Sequence, residues 1–196
     1  DDRHLRAAGH GQGQEEGVRG AFPVFGSGRD FHYLLSDLSS VYLRSAKLKR
    51  FFRHVVMVRG AYVVILDDVT TGAPADLELR FQSQHAATAQ ENAATLKAKK
   101  GEWKILSAAP ADAKVSTGRG TIGFICVKAA SKRAQETFVT VLQPAGGGPV
   151  KWDAGKLTVG SDTLLFVVGA NGWQLKSVNG EDATHLPSGK ERSLPS

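Results

Sequence analysis

The residues able to do chemistry are scattered along this chain and form no local constellation. His4 precedes, and His10 lies within, a glycine-rich run, Gly9-His10-Gly11-Gln12-Gly13-Gln14. Its glycine spacing does not complete a phosphate loop, and its histidine spacing matches no compact zinc pattern. Cys126 is the single cysteine, which rules out an intrachain disulfide. It lies in the apolar run Ile122 to Val127 with no base beside it, and so reads as a small buried hydrophobe. Asp37 has the side chain of a general acid. It follows Ser36 and precedes Leu38-Ser39-Ser40, and the plainer reading is a carboxylate bonding to backbone N–H groups of a turn. His85 closes an alternating run and reads as a surface or packing histidine. Tyr33, Tyr42 and Tyr62 fall in predicted strands or a turn.

The elements that would have to position these groups are strands. Phe51 to Arg59 and Tyr62 to Val69 are rich in β-branched and aromatic residues and are separated by Gly60-Ala61, which predicts a central β-hairpin. Tyr62 to Leu66 has no polar residue on either side, a pattern that predicts burial on both faces. In the first arm Arg53, His54 and Arg59 are read as its charges, with Phe52, Val56 and Val58 on one face. Thr70-Thr71-Gly72-Ala73-Pro74 reads as a turn, and Leu77 to Gln82 alternates like a half-buried strand with Leu77, Leu79 and Phe81 inward. Thr95 to Leu106 predicts a second hairpin. Ala108 to Gly120 reads as a loop, then Thr121 to Lys128 and Glu136 to Leu142 as strands. Gln143 to Pro149 must leave the sheet. Lys156 to Val159, Thr163 to Val168 and Trp173 to Val178 then supply further short strands.

With 196 residues, 41% of them hydrophobic, and 22 glycines, the expectation is an all-β, two-layer antiparallel β-sandwich. It forms one domain over residues 1–180, with a polar tail at 181–196. The formal charge of +6 favours polyanions such as acidic polysaccharides, nucleic acids or headgroups. No apolar run approaches the roughly 18 residues that span a bilayer, and no membrane partner is expected. The basic run Lys47, Lys49, Arg50 and Arg53 reads as a solvated edge unless the fold clusters it.

Taken in order, these segments resemble the C-terminal β-sandwich region of heparinase-II/III-like polysaccharide lyases. The resemblance rests on Arg50-Phe51-Phe52-Arg53-His54-Val55-Val56-Met57-Val58 leading into Tyr62-Val63-Val64-Ile65-Leu66-Asp67-Asp68-Val69. Tyr33-Leu34-Leu35-Ser36-Asp37 with Tyr42, and Phe138 to Pro144, are similar to further strands of the family. His4 followed by Gly11, Gly13 and Gln14 resembles its early loop, with Leu5 and Arg6 where the family has Asn and Thr.

The resemblance implies a module of a β-eliminating lyase acting on uronic-acid glycans, in a periplasmic or secreted setting; no signal peptide is evident in this chain. It implies that the proton-transferring groups lie in an upstream helical toroid domain and a His-x-His stretch, neither of which occurs here. The expected catalytic set within this chain is therefore empty. The resemblance also puts His4 at the position of one zinc ligand, admitting zinc in a complete protein and none in this chain alone. The implied partners are an acidic polysaccharide and the toroid, with no nucleic acid. The module would brace the helical domain and form one wall of its cleft. The alternatives are a non-catalytic carbohydrate-binding module, using Trp103, Trp152 or Trp173 as a stacking surface, and a structural interaction module. Exposure of the indoles separates these two.

Overall fold

The computed structural model describes residues 7–8, 20–42, 47–120 and 122–186. Within them the chain forms sixteen strands and one 3-10 turn, Ser39–Tyr42. The strands are β1 (Ala7–Ala8), β2 (Ala21–Ser27), β3 (Phe31–Asp37), β4 (Leu48–Val58), β5 (Tyr62–Ser83), β6 (Ala87–Gln90), β7 (Ala93–Ala98) and β8 (Gly101–Ala109). They continue as β9 (Lys114–Arg119), β10 (Gly123–Lys128), β11 (Arg133–Pro144), β12 (Val150–Asp153), β13 (Lys156–Val159), β14 (Asp162–Gly169), β15 (Gly172–Val178) and β16 (Glu181–Asp182).

Two antiparallel sheets result. One has five strands in the order β12-β13-β14-β15-β16; the other has eleven, with the main path β2-β3-β4-β5-β11-β8-β7-β6. The expected all-β sandwich is the observed fold. Its inner layer is made by alternate residues of both sheets: Tyr33, Val56, Val58, Val64, Leu66, Val139 and Val141 meet Leu157, Leu164, Phe166 and Val178. This is the period-two pattern of strands with one face on a shared core. The expected central hairpin is in place, with Val56, Val58, Val64 and Leu66 all inaccessible to solvent. Arg59 and Gly60 turn it at positive φ. The fold continues past residue 180, since β16 pairs with β15 and Ala183 and Leu186 are buried in the same core.

The turn expected at Thr70 to Pro74 is not a turn. β5 runs on through it as one strand of 22 residues. Its first half pairs with β4 and β11, its second with β10, and β1 reaches it at Asp76 and Leu77. Gly72 to Pro74 sit where the ladder changes partners, so the N–H missing from Pro74 removes no bond to a neighbouring strand. The second half of β5 joins β10 and β9 in a ribbon that lies over the β6–β8 end of the large sheet. Ile125, Phe81 and Val115 there pack on Ala94, Ile105 and Leu96. The loop expected over Ala108 to Gly120 therefore contains a strand, β9. Its sequence, Lys-Val-Ser-Thr-Gly-Arg, shows little apolar alternation because that ribbon edge is largely solvated.

Two consecutive carboxylates of β5, Asp67 and Asp68, are fully buried on opposite faces of the sheet. Arg53, the register partner of Asp67 on β4, forks onto it at 2.7 and 2.9 Å. Arg50 Nη2 donates to Asp68 Oδ1 at 2.9 Å, and the backbone N–H of Trp173 on β15 approaches Oδ2 at 3.4 Å. Asp68 thus links the two sheets. Gly172 leaves room for it: a Cβ there would lie 2.3 Å from Asp68 Oδ2, and its φ of +104° also suits glycine.

Val64→Asp is expected to lower stability by several kcal/mol, because it sets an unpaired carboxylate in the apolar layer between the sheets. Chemical denaturation checks this, and a midpoint within error of the parent would contradict the central position of β5.

Candidate functional site

Of the sequence-predicted site residues, His4 and His10 lie outside the described residues. Among the described residues no group of three or more His, Cys, Asp or Glu side chains is placed to hold a metal. Asp37 is the turn carboxylate expected, its Oδ1 accepting from the Ser39 N–H at 2.9 Å. Cys126 is buried, 3.5 Å from Glu78 Oε2. Burial and that carboxylate push its thiol up to about 11, far from a nucleophile's range. The basic run divides. Arg50 and Arg53 are committed to Asp68 and Asp67, while Lys47 and Lys49 remain exposed.

The three tyrosines are all buried. Burial raises each phenol well above its ordinary value, that of Tyr42 to about 12. Tyr62 donates to Asp162 at 3.1 Å, tying β5 to the small sheet. Tyr33 Oη lies 2.8 Å from Nδ1 of His54. His54, expected among the charges of its strand, is instead fully buried with its ring edge-on to Phe166. The reason is parity: His54 shares the face of Val56 and Val58. Burial holds its imidazole down at about 4, so it is neutral at physiological pH. Tyr33 and His54 share that one hydrogen bond, and Nε2 of the ring has no partner among the described residues. This pair is a structural element of the core, closed to a polymeric substrate.

The concave surface lies elsewhere, where the β5-β10-β9 ribbon overhangs the large sheet. One hollow, of about 440 Å³, is walled by Phe81, Leu96, Ile105, Ile125 and Leu142, with Arg80, Gln82 and Trp103 among its other lining residues. A second, of about 810 Å³, is lined by Gln84, Thr117, Arg119 and Phe124. The two share Ser83 and His85. The Ser83 hydroxyl takes the His85 N–H at 2.9 Å and so shapes the turn between them. Arg80 stacks on Phe124 at 4.7 Å and is paired with Glu78, whereas Arg119 and His85 are exposed.

Trp103 is 37% exposed, whereas Trp152 and Trp173 pack against the inter-sheet core, with Trp173 Nε1 donating to Thr137 at 2.9 Å. Of the indoles proposed for stacking, only Trp103 is therefore placed for it. An indole and apolar walls suit the C–H face of a sugar ring, and Arg119, His85 and Gln84 carry donors suited to carboxylate, sulfate or hydroxyl oxygens. The groove thus combines an apolar wall with polar groups. Sequence reasoning did not assemble it, because its residues come from well-separated strands with no shared motif.

No protein-family model and no curated protein matches the chain. Solved structures do. Heparan sulfate lyase HepC from Pedobacter heparinus is 15% identical with a TM-score of 0.59, over 85% of this chain and 29% of that one. A HepC mutant gives 16% identity and a TM-score of 0.58, over 83% and 28%. A heparinase III structure gives 13% and 0.60, over 82% and 28%. The resemblance read from the strands is thus borne out as a likeness of fold to a region of the heparinase-type lyases. The chain spans less than a third of the length of those chains.

The His54 imidazole, neutral in the fold, yields a pH dependence. The unfolded chain takes up its proton near 6.5 and the folded chain only near 4. Stability from this group is therefore full above about pH 6.5 and falls between there and pH 4, by at most about 1.4 kcal/mol per pH unit. Denaturation midpoints measured across that window are expected to show this component in the parent and to lack it in His54→Gln.

Proposed function

We propose that this chain is the β-sandwich module of a longer, periplasmic or secreted polysaccharide lyase that acts on uronic-acid glycans by β-elimination. In that reading the module braces a helical domain and contributes one wall of the cleft. The observation that carries it is the likeness of fold to HepC and heparinase III over more than four-fifths of this chain. β-Elimination needs a base and an acid held within about 3 Å of their protons and a group that stabilises the enolate-like charge. The tyrosines here are inside the fold and the groove carries donors and an indole, which supports a division of labour: glycan contact on this chain, proton transfer upstream.

A second reading, a carbohydrate-binding module with no lyase partner, is favoured by one feature, the half-open Trp103 indole that lines one hollow with His85, next to the hollow lined by Arg119. Both readings expect the groove to hold acidic oligosaccharides. Titration with heparan sulfate fragments is expected to change tryptophan fluorescence, with an affinity that falls as salt rises. Trp103→Ala is expected to weaken binding about tenfold. Lyase assays separate the two readings. The purified chain is expected to form no unsaturated uronate absorbing in the ultraviolet from heparan sulfate, hyaluronan or alginate, while the polypeptide including its upstream coding sequence forms it from at least one. Turnover by the chain alone, surviving repurification, would place the active site within these residues.

A further inference from the structure

The outer face of the large sheet is only partly covered. The ribbon lies over its β6–β8 end, and Val41 and Tyr42 pack with Phe51, Val69 and Leu77 at another corner. Across β2, β3, β4 and the first half of β5, Phe25, Leu34, Val55 and Ile65 stand side by side in register, one per strand. In the next row Met57 stands between His32 and Val63. Phe25 is 63% and Met57 43% exposed, and the other four apolar side chains are partly exposed. A solvated face of an antiparallel sheet normally alternates to polar residues. Here the middle of the outer parity, between the Ser27–His32 pair and the Arg53–Asp67 pair, is apolar as well, a pattern for burial on two sides, and among the described residues only the inner side is closed. A contiguous apolar face of this kind marks an interaction surface.

We infer that this face, centred on Leu34, Val55, Met57 and Ile65, docks against an apolar surface of a further domain of the same polypeptide. This rests on the reading of the chain as part of a longer protein. The sequence outside the described residues offers little to cover the face: its only large aliphatic or aromatic side chains are Leu5, Val18, Leu43 and Leu194, dispersed among polar and small residues. The cover must come from elsewhere. The heparinase chains that share the fold extend well beyond it, with this chain covering 28–29% of them.

Met57 is the only methionine of the chain and reports on the face directly. Peroxide oxidation followed by peptide mass spectrometry is to be run on this chain at low concentration and on the full polypeptide encoded with it. The thioether of Met57 is expected to oxidise readily in the chain alone and at least tenfold more slowly in the full polypeptide. Phe25→Glu, a change at an exposed position, is expected to restore rapid oxidation in the full polypeptide. Equal rates in the two proteins would overturn the inference. So would a coding sequence that adds no further domain, or protection of the chain alone that grows with its concentration, which would assign the face to a second copy. Protection in a full polypeptide without lyase activity would uphold the docking and remove the lyase reading alone.

Discussion

The arrangement turns on two adjacent carboxylates that must both be buried and both be neutralised. Asp67 and Asp68 point to opposite faces of one strand, and each has its arginine on β4. A slip of one residue between β4 and β5 would exchange the faces and strip both acids of their partners. Removing one member of such a pair leaves an uncompensated buried charge, a cost of about 3 to 5 kcal/mol. The pairs therefore act on register more than on net stability. Asp68 carries the constraint to the other layer, because its second oxygen faces the Trp173 N–H across the space that Gly172 leaves open.

Much of this fold was legible because period-two patterning is a local signal. Val56, Val58, Val64 and Leu66 announce a buried face, and Gly60 announces the turn between their strands. The small sheet was legible through its turns, Gly160-Ser161 and Ala170-Asn171-Gly172. What local patterning misses is where a strand changes partners. Gly72-Ala73-Pro74 has turn composition, yet the same residues suit a strand segment at which the ladder changes partners, Gly72 still donating to the Lys47 carbonyl at 2.9 Å. β9 failed for the complementary reason, since a solvated edge strand need not alternate.

The site was less legible than the fold. His54 differs from a surface histidine only in the parity of its position, and its partner Tyr33 sits on another strand. The groove draws Arg80, His85, Trp103, Arg119 and Phe124 from the ribbon and from the sheet beneath it. No spacing along the chain encodes that meeting, which exists only because β5 continues beyond Pro74 and lifts the ribbon over β8. The indoles show the same dependence. Trp103, Trp152 and Trp173 are equivalent by composition, and packing alone separates the half-open one from the two partly buried against the inter-sheet core.

β5 has a mechanical meaning as well. A strand of 22 residues, at about 3.3 Å per residue, is a tie of roughly 70 Å. It is clamped by β4 and β11 along its first half and by β10 along its second. A load applied to the ribbon would travel along covalent backbone into the strand pairs of the main sheet. Those pairs resist it in shear, with their hydrogen bonds loaded together. The groove is thereby anchored to the central strand pairs of the large sheet without any added crosslink.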